Sequence, residues 1–454
     1  MLEADYLVVG AGALGMVFVD ELLNDPEARI VMVDRRHAAG GHWLDAYPFV
    51  RLHQPSAFYG VGSRPLGSGR RHKSGPNAGC YEMASGAEVC AHFDAVMRDR
   101  FLPSGRVIFL GMSEHAGEGQ VRNLLTGATT QVRHRKLVDA TYFHTSIPAT
   151  HTRGFEADDG VTVVTPNALP NAAPGRRRFC VLGGGKTGMD ACMFLLEGGA
   201  PPEAIRWVVP RASWCLNRET VQPGGGVLAA SEAAVLEAAA GASSSEDLFD
   251  RLEAVGEMHR IHPEARPVRL RNAILSRGEA KLLAGIGDVV RKGRVKRIEK
   301  TRIVMEQGET PAEAGDLYVD CTASAINPGP VIPVFQGARI TIQTLRSRFV
   351  CLSAALIARV ERMNIDEEQK NMLCRPLPMP RSMEDFPLLL LRGLEAAERW
   401  NAHPVLREWI VGHRLAGAGF PDLPADGPEA VRIRERIAAA RPAAVRNLER
   451  LVGV

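Results

Sequence analysis

Two glycine clusters, Gly10-Ala-Gly12-Ala-Leu-Gly15 and Gly183-Gly-Gly185-Lys-Thr-Gly188, hold the spacing at which a backbone wraps the pyrophosphate of a dinucleotide. The first glycine makes the tight turn out of a strand, the second lets the main chain approach the phosphates, and the third lets a helix pack against the sheet. The helix that opens at Ala13 and Leu14 would turn its positive end and unpaired N–H groups toward the phosphates. Asp34 ends the next apolar run, at the distance where an acid accepts hydrogen bonds from the adenosine ribose, and Arg35 follows it. After the second cluster the corresponding position reads Val209-Pro210-Arg211. An arginine there pairs with a 2′-phosphate where an acid would repel it, so NADPH is predicted in preference to NADH. Lys186 and Thr187 open the second helix, where their donors can reach the phosphates of that nucleotide. Gly-Lys-Thr is not a P-loop, because the spacing G-x-x-x-x-G-K-[ST] is absent.

Both clusters need a strand before them and a helix after. Tyr6-Leu7-Val8-Val9 and Phe179-Cys180-Val181-Leu182 are continuous apolar runs, as parallel strands covered on both faces require. Helical spacing follows over residues 13–24 and 186–197, and strands return at 29–33 and 205–209. A helix near 86–100, a strand at 107–110 and a polar alternating stretch over 113–140, closing on Lys136-Leu137-Val138-Asp139, suggest an antiparallel meander. The second half repeats this order, with a mainly helical stretch over 227–288, an alternating one over 289–307 and a strand at Leu317-Tyr318-Val319-Asp320. Two copies of one architecture in series predict an α/β fold with two Rossmann-like dinucleotide-binding domains, each with a small meander, plus a helical C-terminal region.

With Gly40-Gly41-His42-Trp43 shortly after Asp34-Arg35, and both fingerprints in this order, the chain resembles the flavin-containing monooxygenases and their Baeyer–Villiger relatives over roughly residues 5–360. The resemblance implies FAD in the first domain and NADPH in a second domain inserted into it. The boundaries it suggests are 1–165 and 316–454 for the FAD domain and 170–315 for the NADPH domain. Gly41, His42 and Trp43 would continue the FAD site, and the segment from Tyr47-Pro48 to Gln54-Pro55-Ser56 would run beside the flavin ring. Asp139-Ala140-Thr141 and Asp320-Cys321-Thr322 resemble the strand ends that return the chain between the domains. His53 and Gln54 then fall at the reactive edge of the flavin, where either could hydrogen-bond the ring or a peroxide adduct. Arg51 could place positive charge by the pyrimidine side, which favours the reduced anion. The implied activity is that of a single-component monooxygenase. NADPH reduces FAD, oxygen forms a C4a-(hydro)peroxyflavin, and a small molecule is oxygenated.

Composition narrows the alternatives. The 454 residues, 45% hydrophobic and 24% charged, suit a globular protein of two or three domains. A net charge of +3 without a basic arm or stripe predicts no nucleic-acid partner. No basic leader precedes the first strand, and no apolar run approaches the roughly 20 residues of a membrane span. A cytoplasmic protein is therefore expected. The eight cysteines include no Cys-x-x-Cys pair and no zinc spacing, which argues against a disulfide reductase and against a metal site. Two other readings stay open: an NADPH-dependent flavoprotein reductase that inserts no oxygen, and a nucleotide-binding sensor without turnover. Asn217-Arg218 and Asn327 are pocket candidates. Residues 227–288 and 366–454 would by elimination wall the substrate pocket or form the interface of a homo-oligomer.

Overall fold

The apolar run ahead of the first glycine cluster forms strand β1 (Leu2–Val9), in which Leu7 and Val8 are fully buried. Helix α1 (Ala13–Leu22) follows, then β2 (Ile30–Val33), β3 (Val107–Leu110) and the long β4 (Thr129–Asp139). They lie in the order β4-β1-β2-β3, all parallel, with Tyr6 beside Ile30 and Lys136. The residues described in this computed structural model are 1–313, 315–323, 326–380 and 382–453, with residue 271 described for its backbone alone.

The second half repeats the plan. Strand β5 (Phe179–Leu182) feeds α2 (Lys186–Glu197), then β6 (Ile205–Val208), β7 (Asp288–Val290) and β8 (Leu317–Asp320). The order is β8-β5-β6-β7, again parallel, so β5 is flanked as β1 is. Each sheet has its own core. Val8, Met16, Phe18 and Ile30 belong to the first, and Val181, Ala191, Trp207 and Leu317 to the second. An antiparallel meander accompanies each sheet: Ser113–Gly117 and Gln120–Asn123 extend β4, while Val295–Ile298, Arg302–Met305 and Gly308–Pro311 form the second.

The pairing corrects the expected domain boundaries. Leu317–Asp320 does not return to the first sheet but pairs with β5, and Thr162–Val164 joins it at the edge. The strand that returns is β9 (Arg339–Thr341), which lies parallel to β4. An apolar strand ended by aspartate reads the same in either sheet, so sequence alone could not assign it. Between β6 and β7 lies α3 (Val227–Ala240). After β9 come α4 (Val350–Glu361), packed on α1, and finally α5 (Pro428–Val452). Helix α5 seals α3: Ala444 and Leu448 join Leu236 and Ala239 in one buried cluster, and the Asn447 amide donates to the Ala239 carbonyl at 2.7 Å.

Candidate functional site

The two glycine loops are built alike. Gly10 and Gly183 turn out of their strands at φ of +102° and +129°. A Cβ on Gly15 would sit 1.9 Å from the Gly10 carbonyl oxygen, and one on Gly188 would sit 2.0 Å from that of Gly183, so neither site admits a side chain. Opposite each loop the neighbouring strand ends in the same turn. The Thr141 N–H and hydroxyl donate to Asp139 at 2.9 and 2.7 Å, and those of Thr322 donate to Asp320 at 3.0 and 2.6 Å. Ala140 and Thr141 lie against Gly10, and Cys321 lies against Gly183. Gly12 and Gly185 cap α1 and α2 without a side-chain acceptor, and the first helical bonds are those of Met16 at 2.9 Å and Met189 at 3.0 Å. The amides of Ala13 and Leu14, and of Lys186 and Thr187, precede those bonds and stay available to an anion. Both loops therefore fit a dinucleotide pyrophosphate.

Asp34 is buried, and its two oxygens accept the Ala11 and Arg36 N–H groups at 2.7 and 2.9 Å. Each oxygen keeps a second lone pair for a ribose hydroxyl. Arg35 is exposed, 3.8 Å from Glu114. The Gly40 N–H donates to the Ala11 carbonyl at 2.9 Å, and Gly41 sits against Gly12, so the first loop is closed by the second glycine pair. His42 stacks on Trp43, whose indole N–H donates to the Tyr59 hydroxyl at 2.7 Å. Burial, assisted by the Arg36 guanidinium, pushes the His42 imidazole down to about 4, so it is neutral at neutral pH.

The segment after Trp43 crosses to the second sheet. The Tyr47 hydroxyl donates to Asp190 on α2 at 2.7 Å, and Phe49 stacks on Phe194 at 4.4 Å. Lys186 is itself paired with Asp190, so in this arrangement its ammonium is engaged within α2. Arg218, 1% exposed, holds the next part: Nε donates to the His53 carbonyl at 2.9 Å, Nη1 to Asn77 and Glu279 at 2.5 Å each, and Nη2 to the Ile274 carbonyl at 2.9 Å. Burial, and then the charges of Lys186 and Arg218, hold the His53 imidazole well below its ordinary value, which makes it a neutral donor or acceptor. Gln54 is buried, yet its side-chain amide bonds to none of the described residues. Arg51 lies on the outer side of this segment, exposed, donating to the Met83 carbonyl at 3.2 Å. The structure thus sets His53 against Arg218 of the insert between β6 and β7, buries Gln54 beside it in the chain, and leaves Arg51 exposed.

No model of a known protein family matches the chain. Proteins of Mycobacterium tuberculosis and Mycobacterium bovis, described only as uncharacterized, are 43% identical to it over 439 residues, which is 96% of this chain and 81% of theirs. The chain belongs to their family. Among solved structures, an oxidized steroid monooxygenase bound to NADP superposes with a TM-score of 0.50 at 15% identity, covering 98% of this chain and 99% of that one. A polycyclic ketone monooxygenase from the fungus Thermothelomyces thermophila gives 0.50 at 11% identity over 97% of this chain and 88% of its own. At such identities the likeness establishes a shared fold, that of two-domain monooxygenases.

Within this family member the second loop opens onto a depression that sequence reasoning found only in part. Arg211 is exposed after β6. The depression beside Gly184 and Val209 is also lined by Ser213, Arg260, His262 and Arg291. Arg260 is committed to Glu253 at 2.5 Å. Arg291 keeps a buried Nε with no hydrogen bond and stands 3.5 Å from Glu264. A signal existed: Arg291 follows β7, whose Val290 lies beside Val208, so it ends its strand next to where Arg211 follows β6. Among the described residues no cluster of His, Cys, Asp or Glu is placed to hold a metal ion, and no helix is long and apolar enough to cross a membrane.

Proposed function

We propose that the chain is an FAD-dependent oxidoreductase that consumes NADPH, and that it is a single-component monooxygenase acting on a small molecule. The observation that carries this reading is the His53-Gln54 segment. It offers a buried amide without a partner among the described residues and a neutral imidazole that feels the charge of Lys186 on the second loop. FAD is assigned to the first loop because Gly40-Gly41 closes over Gly12 and Asp34 stands at the ribose position. NADPH is assigned to the second because two arginines, Arg211 after β6 and Arg291 after β7, end neighbouring strands beside that loop and could pair with a 2′-phosphate. When bound, the flavin accepts hydride from the nicotinamide and passes electrons to oxygen. The chain's own part is to hold both nucleotides by their phosphates, to keep water from the His53-Gln54 segment by burial, and to present Gln54 and His53 as uncharged hydrogen-bonding groups.

The cysteines favour an oxygenase over a dithiol enzyme. All eight are free thiols, seven of them buried, and burial pushes Cys192 and Cys321 well above the ordinary thiol value. The test is a balance of NADPH consumed, oxygen taken up and hydrogen peroxide released, measured with a panel of ketones and thioethers. An oxygenase releases less peroxide than the NADPH it consumes once a substrate is present. Equal amounts under every condition would identify a reductase, and no NADPH consumption at all would identify a nucleotide sensor.

A further inference from the structure

Two arginines of the interior, Arg218 and Arg414, spend most of their donors on protein, although Arg414, like Arg291, keeps an unbonded Nε. Arg218 uses all three nitrogens, and Arg414 donates to the carbonyls of Ala57, Tyr59 and Val61. Arg346 and Arg348 break this pattern. They lie in the segment between β9 and α4, at the boundary between the first sheet and the helical region, and each guanidinium carries five N–H donors. Among the described residues neither guanidinium has a carboxylate oxygen within 4 Å or a hydrogen-bond acceptor. Their nitrogens retain accessible area although both residues are half-buried, so they face a space rather than packed atoms.

The surroundings are specific. The Arg346 guanidinium lies 4.6 Å over the Phe349 ring, which meets Phe58 edge-on at 4.9 Å, so the space has an apolar wall beside its cations. Ser353 fixes the segment by accepting the Leu345 and Arg346 N–H groups at 3.1 Å each. Arg348 is held at φ +70°, a conformation that arginine rarely adopts. The acids that these guanidiniums feel are Glu232 and Glu257, and both are engaged elsewhere. Glu232 pairs with Arg441 at 2.7 Å, and Glu257 accepts the Ser231 and Thr220 hydroxyls at 2.7 and 2.9 Å. Burial without a partner pushes both guanidiniums below their ordinary value, as expected of cations that await a counter-charge.

We infer that Arg346 and Arg348 form an anion site that receives the carboxylate of a small substrate whose apolar body lies along Phe349 and Phe58. The two guanidiniums can fork onto one carboxylate, and Glu232 and Glu257 at the margin disfavour a dianion such as phosphate. The acids nearest them, Glu232 and Glu257, belong to the helical insert between β6 and β7. That this ligand is a substrate rests on the enzyme reading above; that it binds does not.

Calorimetry on the purified protein decides the point, with acetate, hexanoate and benzoate each compared with its amide. At least one acid should bind about tenfold or more tightly than its amide, since only the acid forms charge-assisted hydrogen bonds. Arg346→Met and Arg348→Asn, the latter chosen because asparagine tolerates the left-handed backbone, should each remove that preference. They should leave the amide's affinity and the flavin content unchanged. Equal binding of acid and amide in all three pairs overturns the inference, as does a preference that survives both substitutions. A fall in flavin midpoint potential in the variants with the acid preference intact would assign the guanidiniums to the flavin instead, and also overturns it. Should the variants fail to fold, the comparison of acid with amide on the parent protein still decides. Colourless protein that prefers the acid would sink the flavoenzyme reading alone, and yellow protein without a preference would sink this one alone.

Discussion

The Arg218 guanidinium donates from Nε to the main-chain oxygen of His53 at 2.9 Å. Its remaining nitrogens reach Asn77, Glu279 and the Ile274 carbonyl, so one buried cation ties the segment around His53 to the insert between β6 and β7. His53 does not depend on its own side chain for placement. Its backbone is gripped by a residue that makes no claim on the imidazole.

Breaking that grip should be costly. In Arg218→Met the buried Glu279 loses its partner, and removing one member of a buried pair costs about 3–5 kcal/mol. Burial works against the Glu279 charge, yet Arg218 and Lys186 hold its carboxyl below the ordinary value. A depressed carboxyl contributes stability that is full above its unfolded value of about 4.3 and is lost as pH falls through the folded value. Urea unfolding of the parent and of Glu279→Gln should therefore differ most at neutral pH and converge in acid. A cost under about 1 kcal/mol for Arg218→Met at pH 7 would mean that the link is dispensable.

Gly185 separates nucleotide binding from folding. A Cβ there meets nothing within 4 Å, and its φ of −91° suits any residue. Gly185→Ala should thus unfold at the same temperature as the parent and keep its flavin. It should nonetheless weaken NADPH about tenfold or more, because only the bound pyrophosphate occupies the space. Steady-state kinetics with a melting curve on the same sample checks both. An unchanged KM for NADPH would remove the second loop as the nucleotide site.

The nucleotide's 2′-phosphate tests the arginines. Arg211→Ala should weaken NADPH and leave NADH nearly unchanged, a loss of roughly 1.5–3 kcal/mol or one to two decades for a charge-assisted contact. Arg291→Ala should behave in the same way if its guanidinium, which lines the depression beside the second loop, meets the same phosphate. Equal losses for both nucleotides would make either residue structural.

Much of this was legible in the sequence because each glycine cluster states a backbone requirement that only one geometry satisfies. Gly15 and Gly188 each leave no room for a Cβ, and each was identified by spacing alone. What was not legible depends on partners far apart in the chain. Leu317–Asp320 looked like a return to the first sheet because an apolar strand carries no mark of which neighbour it pairs with. Lys186 read as a phosphate donor because its position suits one, but Asp190 one turn along takes the charge. Arg51 read as a flavin contact from its place in the 47–56 segment, whereas its side chain is exposed and donates to the Met83 carbonyl, a partner that nothing local announces. Arg218 was only one of several pocket candidates, since nothing local announces that four separate segments converge on it.

Gln54 is the residue on which the oxygenase reading turns. Its amide is buried without a hydrogen bond to the described residues, so Gln54→Ala should cost mainly the packing of its methylenes. Hydride transfer depends on how the second loop places NADPH, so the rate of flavin reduction measured without oxygen should stay within about twofold of the parent. If the amide supports charge that develops only once oxygen has reacted, its loss acts after that step, at a cost of about 2–4 kcal/mol. The oxygen consumed should then leave increasingly as hydrogen peroxide while product formation falls. His53→Ala is the companion variant, because the enclosed imidazole is uncharged and stands next in the chain. Anaerobic stopped-flow reduction together with peroxide quantitation separates the two steps. Unchanged peroxide yield in both variants would reduce this segment to a wall and leave the flavoprotein reductase as the better reading.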